Sequence, residues 1–258
     1  MITLLANAKI NLYLEIIGSR PDGFHELVMV MQSVALSDRI TLKRVSGPYI
    51  YINCDHPQVP TDTQSLAYKA VTLLQKQFPI RTIQQCGVEI TIEKHIPVGA
   101  GLAGGSANAA AVLIGLDVLW NLGLTRLELQ ALGAVLGSDV PFCLAGGCAI
   151  ATGRVEEVDV LRQSPKLFAV LAKYESLSVS TPWAYKTYRS EFGHTYLDCK
   201  DSATLEERRG RVHNAKMLKA NSAQAGTIQR DVRSHVNDPD LKVYVAPFTA
   251  HGIVVKTT

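Results

Sequence analysis

The stretch Pro97-Val-Gly-Ala-Gly-Leu-Ala-Gly-Gly-Ser-Ala-Asn108 constrains this chain more than any other, because of what flanks it. Before it, Val88-Glu-Ile-Thr-Ile-Glu-Lys94 alternates with the period of a strand; after it, an alanine-rich run through Trp120 has the character of a long helix. Gly99, Gly101, Gly104 and Gly105 let the backbone come close to a partner, and a helix N-terminus adds unpaired N–H groups and the positive end of its dipole. Strand, glycine-rich loop and helix in that order suit phosphate oxygens. The alternative is a turn that packs the helix and holds nothing, yet four glycines spaced to expose amides lose much backbone entropy on folding unless something uses them.

Gly99, Gly101 and Gly104 also spell GxGxxG, but a dinucleotide fold needs a further strand carrying an acidic residue after the helix. Here a second helix is predicted, opened by the capping-box pattern Thr125-Arg-Leu-Glu128 and stopped near Leu136 by Gly137. A Walker loop lacks its Gly-Lys-Ser/Thr, and a protein-kinase loop lacks the following VAIK-type strand.

Elsewhere, strands are predicted at Ile10 to Ile16, Leu27 to Met31 and Arg39 to Lys43, and a helix over Ser65 to Phe78, ended by Pro79. Further strands are expected at Ala149 to Thr152 and Leu167 to Ala172, then a helix opening at Thr181-Pro182. A polar, basic, helical stretch runs from Leu205 to about Val236, before short strands at Lys242 to Ala246 and Gly252 to Lys256. Strands and helices without strict alternation argue for α+β. A net charge of +3 over 258 residues gives no reason to expect nucleic acid or a membrane surface. Five cysteines without a CxxC pair favour reduced thiols. With no apolar run of spanning length and no leader-like N-terminus, the expected location is cytoplasmic.

Two polar residues stand out. Lys9 lies in an apolar strand pattern, where burial demands an anionic partner. Asp139, in Gly137-Ser-Asp-Val-Pro-Phe142, sits between a helix end and an apolar, strand-like run; an Asx-turn and a carboxylate facing a cleft are equally open there.

The glycine-rich stretch resembles the second motif of the galactokinase, homoserine kinase, mevalonate kinase and phosphomevalonate kinase (GHMP) superfamily. Ala8-Lys-Ile-Asn-Leu12, Arg20-Pro-Asp-Gly-Phe-His-Glu-Leu27, the Asp139 segment and Thr181-Pro-Trp-Ala-Tyr185 narrow the resemblance to its family of 4-diphosphocytidyl-2-C-methyl-D-erythritol kinases. That resemblance implies a two-domain α+β fold: an N-terminal ATP-binding domain over 1–153, like domain 2 of ribosomal protein S5, and a reduced ferredoxin-like domain over 154–258. It implies transfer of phosphate from ATP, with Mg²⁺, to the 2-hydroxyl of a small substrate carrying a cytidine diphosphate group, in the non-mevalonate isoprenoid route. The protein would be a monomer or homodimer without nucleic-acid or membrane partners.

By the same resemblance Lys9 and Asp139 are catalytic and adjacent. Pro97, Val98, Gly99, Ala100, Gly101, Leu102, Ala103, Gly104, Gly105, Ser106 and Ala107 hold the phosphates, with Ser65, Leu66 and Lys94 bordering the adenine and Ser106 a possible metal ligand. Asn11, Phe24, His25, Thr181, Pro182 and Tyr185 take the substrate, Phe24 and Tyr185 as planes for cytosine and His25 as a partner for its edge. The superfamily's third motif, a Gly-Ser-Gly-Pro-Thr-like loop, has no match here, and several dozen residues are missing after Asn214. Two other functions therefore stay in view: a silent nucleotide-binding relative that serves as a partner, and a GHMP kinase with another acceptor.

Overall fold

Two long strands carry the architecture. In the computed structural model, which describes residues 1–79, 87–155, 157–161, 167–196 and 238–256, β1 (Ile2–Ser19) and β2 (His25–Val45) pair antiparallel along nearly their whole lengths. The turn between them closes through Arg20 N–H to Phe24 O at 2.8 Å, with Gly23 at φ +84°. The outer edge of β2 is shared. Residues 39–45 pair with β4 (Gly87–Glu93), and residues 27–32 pair with β5 (Cys148–Gly153). Beyond these, β3 (Ile50–Cys54) lies parallel to β4, β6 (Glu157–Leu161) pairs with β5, and β9 (Ile253–Lys256) pairs with the start of β1. A second sheet of β7 (Phe168–Tyr174) and β8 (Leu241–Pro247) is tied to β2 by a bridge between Val34 and Phe248. The half from 154 to 258 thus supplies strands to both sheets.

The segments predicted as separate strands at 27–31 and 39–43 are one strand. Asn7 faces Ser37 while Ala8 faces Val34, so Ala35 and Leu36 bulge out of register. A bulge bends the strand without ending it, and it interrupts the alternation on which sequence reading depends.

Helices α1 (Leu66–Gln77), α2 (Gly104–Trp120) and α3 (Arg126–Leu136) bear out their sequence patterns. Ten of the seventeen residues of α2 are buried, so it is apolar on nearly every side, as a central helix must be. Gly115 lets it lie close to the sheet: a Cβ there would come within 2.2 Å of Leu42 Cδ1. The main core forms between them from residues such as Leu4, Ile40, Leu42, Ile90, Val112 and Leu116. Thr125 caps α3 reciprocally, accepting from Glu128 N–H at 3.3 Å while Glu128 Oε2 accepts from Thr125 N–H at 2.8 Å.

The apolar run after Asp139 is not a strand, as the pattern suggested, but a six-residue helix, α4 (Val140–Ala145), with proline in its first turn, where a missing N–H does no harm. Past β7, α5 (Thr181–Phe192) also opens on proline and buries none of its residues. The helical stretch expected over 205–236 and two cysteines, Cys86 and Cys199, lie outside the described residues; Cys54, Cys143 and Cys148 are free thiols. No described helix is long and apolar enough to cross a membrane.

Candidate active site

A cavity of about 970 Å³ opens between the glycine-rich loop, the β1–β2 ribbon and helices α4 and α5. Lys9 and Asn11 reach it together because residues two apart share a face of β1. Lys9 is 6% exposed, and its Nζ lies 3.8 Å from Asp139 Oδ2 and 3.3 Å from Asn11 Oδ1, to which it donates. Asp139 holds the N-cap position of α4 but makes no side-chain cap bond, so its carboxylate is directed to Lys9 and the cavity. That disposes of the Asx-turn reading. One turn along α4, Cys143 is fully buried; burial first, and the Asp139 charge second, push its thiol far up, which leaves it inert.

The loop itself is wound to expose its amides. Gly99 and Gly101 have φ of +66° and +71°, and Ala103, the N-cap of α2, takes the same left-handed conformation at +56°. A non-glycine residue held there stores strain that its surroundings must enforce, a frequent mark of a ligand clamp. Among the described residues, no amide from 101 to 106 donates a hydrogen bond. The loop is secured by other groups: Leu102 O accepts from Lys9 N–H at 3.1 Å, and the Leu102 side chain packs against Ala8, Val34, Ile96 and Ala246. Ser178 closes on its outer side, its Oγ 2.6 Å from where a Cβ on Gly99 would stand.

Residues 97–105 all line the cavity, with Ser65, Leu66 and Lys94 beside them. Two residues expected with them do not. Ala107 is buried in the core, its amide already bonded to Ala103 O at 2.8 Å, and Ser106 sits on the first turn of α2 outside the lining. Lys94, expected near the adenine, holds its ammonium against the start of α2, 3.0 Å from the Cβ position of Gly104, in an ion pair with Asp38.

At the other end stand Phe24, His25, Thr181, Pro182 and Tyr185. Phe24 and Tyr185 are not two open planes. The Arg154 guanidinium lies 4.7 Å from the Phe24 ring centre, and His25 stacks on Tyr185 at 5.1 Å and 29°. His25 Nε2 is buried with no hydrogen-bond partner among the described residues, an orphan polar atom that a ligand would satisfy. Burial, and then the charge of Arg189, hold the His25 imidazole below its ordinary pKa, while burial and then Asp139 raise the Tyr185 phenol. Glu26 fixes this corner, accepting from Arg20 Nη1 at 2.6 Å and from Gly153 N–H at 3.1 Å.

Sequence reasoning missed the cations Arg154, Lys186 and Arg189, which line the same end of the cavity from distant parts of the chain. It also missed Asp38, which stands between the polar Ser37 and Arg39 and carries no local signal of its burial. No group of three or more His, Cys, Asp or Glu able to hold a metal occurs among the described residues.

The chain matches known proteins along most of its length. Residues 65–147 match the GHMP kinases N terminal domain family. A 4-diphosphocytidyl-2-C-methyl-D-erythritol kinase from Nostoc punctiforme is 58% identical over 218 residues, 84% of this chain and 68% of that protein. Its namesake from Trichormus variabilis is 45% identical over 310 positions, spanning 98% of this chain and 97% of that protein. Those 310 positions exceed the 258 residues here, so several dozen positions of that relative have no counterpart. A crystal structure of 4-(cytidine 5'-diphospho)-2C-methyl-D-erythritol kinase superposes with a TM-score of 0.63 at 32% identity, covering 95% of this chain and 89% of that one. With relatives this similar along so much of its length, the chain belongs to the 4-diphosphocytidyl-2-C-methyl-D-erythritol kinase family of GHMP kinases.

Proposed function

We propose that this chain transfers the γ-phosphoryl group of ATP to the 2-hydroxyl of 4-diphosphocytidyl-2-C-methyl-D-erythritol, a step of the non-mevalonate isoprenoid route. The observation that carries the reading is the Lys9–Asp139 pair facing into the cavity whose wall is the amide-exposing loop. Such transfer asks for positioning and charge stabilisation rather than covalent chemistry by the protein. The loop amides and the N-terminus of α2 grip the polyphosphate. The acceptor oxygen attacks the γ-phosphorus, its proton passes to the Asp139 carboxylate, and the bond to the β–γ bridging oxygen breaks to leave ADP. Lys9 orients Asp139 and offsets charge on the passing phosphoryl group.

Asp139 alone carries a carboxylate among the described residues lining the cavity, so in this reading nucleotide phosphates and water supply most of the shell of Mg²⁺. When bound, the metal neutralises charge on the β- and γ-phosphates. Phe24, His25 and Tyr185 take the cytosine, its edge meeting the orphan His25 Nε2, and Arg154, Lys186 and Arg189 face the diphosphate. In this reading the protein works in the cytoplasm as a monomer or homodimer.

A substrate panel tests the reading. Incubated with ATP and Mg²⁺, the protein should release ADP with the cytidine-linked acceptor and not with mevalonate or homoserine. ADP release of equal rate with either of the latter would overturn the assignment of acceptor. The missing C-terminal motif favours a second reading, a nucleotide-binding partner without turnover, which requires ATP binding and no acceptor-dependent ADP.

A further inference from the structure

Asp38 lies wholly buried on β2 and takes no part in the chemistry above. A buried carboxylate must be paired and fully hydrogen-bonded to persist, so its partners reveal its use. Oδ1 accepts from the amides of His95 and Ile96, both at 2.8 Å, where the chain leaves β4 for the loop. Oδ2 forms the ion pair with Lys94 Nζ. With its amide turned to the orientation its neighbours require, Asn108 donates to Oδ2 at 2.8 Å and to Gly104 O at 3.1 Å. One carboxylate therefore ties the segment entering the loop to the helix leaving it, at a point 0% exposed to water.

The loop between those two ties carries the strained Ala103, whose carbonyl accepts the first bond of α2 from Ala107 N–H at 2.8 Å, while the amides just before it face the cavity wall without a backbone partner among the described residues. We propose that Asp38 is a positioning residue for the nucleotide: through Lys94, Asn108 and the two amides it sets the register of the α2 N-terminus against the exit of β4. Lys94 is held at that N-terminus by its ion pair with Asp38. Asp38 shares β2 with His25, but among the described residues no hydrogen bond or ion pair joins its carboxylate to Phe24, His25, Thr181, Pro182 or Tyr185 at the acceptor end. This inference rests on the nucleotide reading of the loop and adds a residue to it.

The test separates the two. Asp38→Asn keeps the shape and removes the charge that pairs Lys94. It should weaken ATP binding, read by calorimetry and as KM for ATP, by about tenfold, the loss expected for a charge-assisted bond. KM for the cytidine-linked acceptor should stay at the parent value. A purely structural residue would lower the active fraction and leave both KM values alone; that result, or an equal rise in both, overturns the positioning role. Should Asp38→Asn fail to fold, Asn108→Ala removes the arm to α2 and leaves the Lys94 pair and both amides in place. It should raise KM for ATP severalfold and spare that for the acceptor, and an unchanged ATP affinity overturns the inference. A parent protein that binds no ATP would instead defeat the nucleotide reading itself.

Discussion

Lys9 and Asp139 define each other. Removing either leaves the other half of a partly buried ion pair without its neighbour, and removes the group that takes the acceptor proton or the one that orients it. Asp139→Asn is expected to lower kcat by about 10²–10⁴, the usual contribution of a general base, with ATP affinity kept; steady-state kinetics beside calorimetry decide this. His25 supplies a pH signature. Because burial in the folded state holds its pKa below that of an ordinary histidine, the unfolded chain takes up a proton first as pH falls through about 6.5, and stability declines with it. The melting temperature of the parent should therefore drop more steeply below that pH than that of His25→Gln; parallel curves would contradict the burial of the imidazole. Lys9, Asn11 and Asp139 were legible in the sequence because each sits in a short local motif. Asp38, Arg154 and Arg189 were not, since their roles arise from tertiary approach that no local spacing encodes.

At the scale of elements, caps and breakers made the helices legible: Thr125 opens α3, Gly137 follows its end, and proline begins α5. The bulge in β2 and the short α4 escaped because a two-residue slip and a six-residue helix leave little periodicity to detect. Thr125→Ala should destabilise the protein by about 1 kcal/mol through loss of the cap, measurable as a lower denaturant midpoint with an unchanged slope. Gly252→Ala should do more. A Cβ there would meet the Cys143 carbonyl oxygen at 1.8 Å, so either the segment before β9 or helix α4 must shift. A loss of about 1–3 kcal/mol is expected, and with it a fall in kcat, because α4 carries Asp139 at its start. Wild-type kinetics in that variant would show that the carboxylate does not depend on this contact.

Across the whole molecule, one long ribbon brings remote segments to a common cavity. The β1–β2 turn delivers Phe24 and His25, the middle of β1 delivers Lys9, and the exits of β4 and α3 deliver the loop and Asp139. The α+β class followed from the order of periodicities, but the way β9 returns to β1 did not, because strand pairing between residues 3 and 256 leaves no trace in either segment alone. Several dozen positions of the Trichormus variabilis relative have no counterpart in this chain. The most direct measurement is ADP release from ATP and Mg²⁺ by the parent and by Asp139→Asn, each with and without 4-diphosphocytidyl-2-C-methyl-D-erythritol. Acceptor-dependent ADP from the parent that collapses in the variant is the predicted result. Acceptor-dependent ADP of equal rate from both, or none from a parent that binds ATP, would contradict the account.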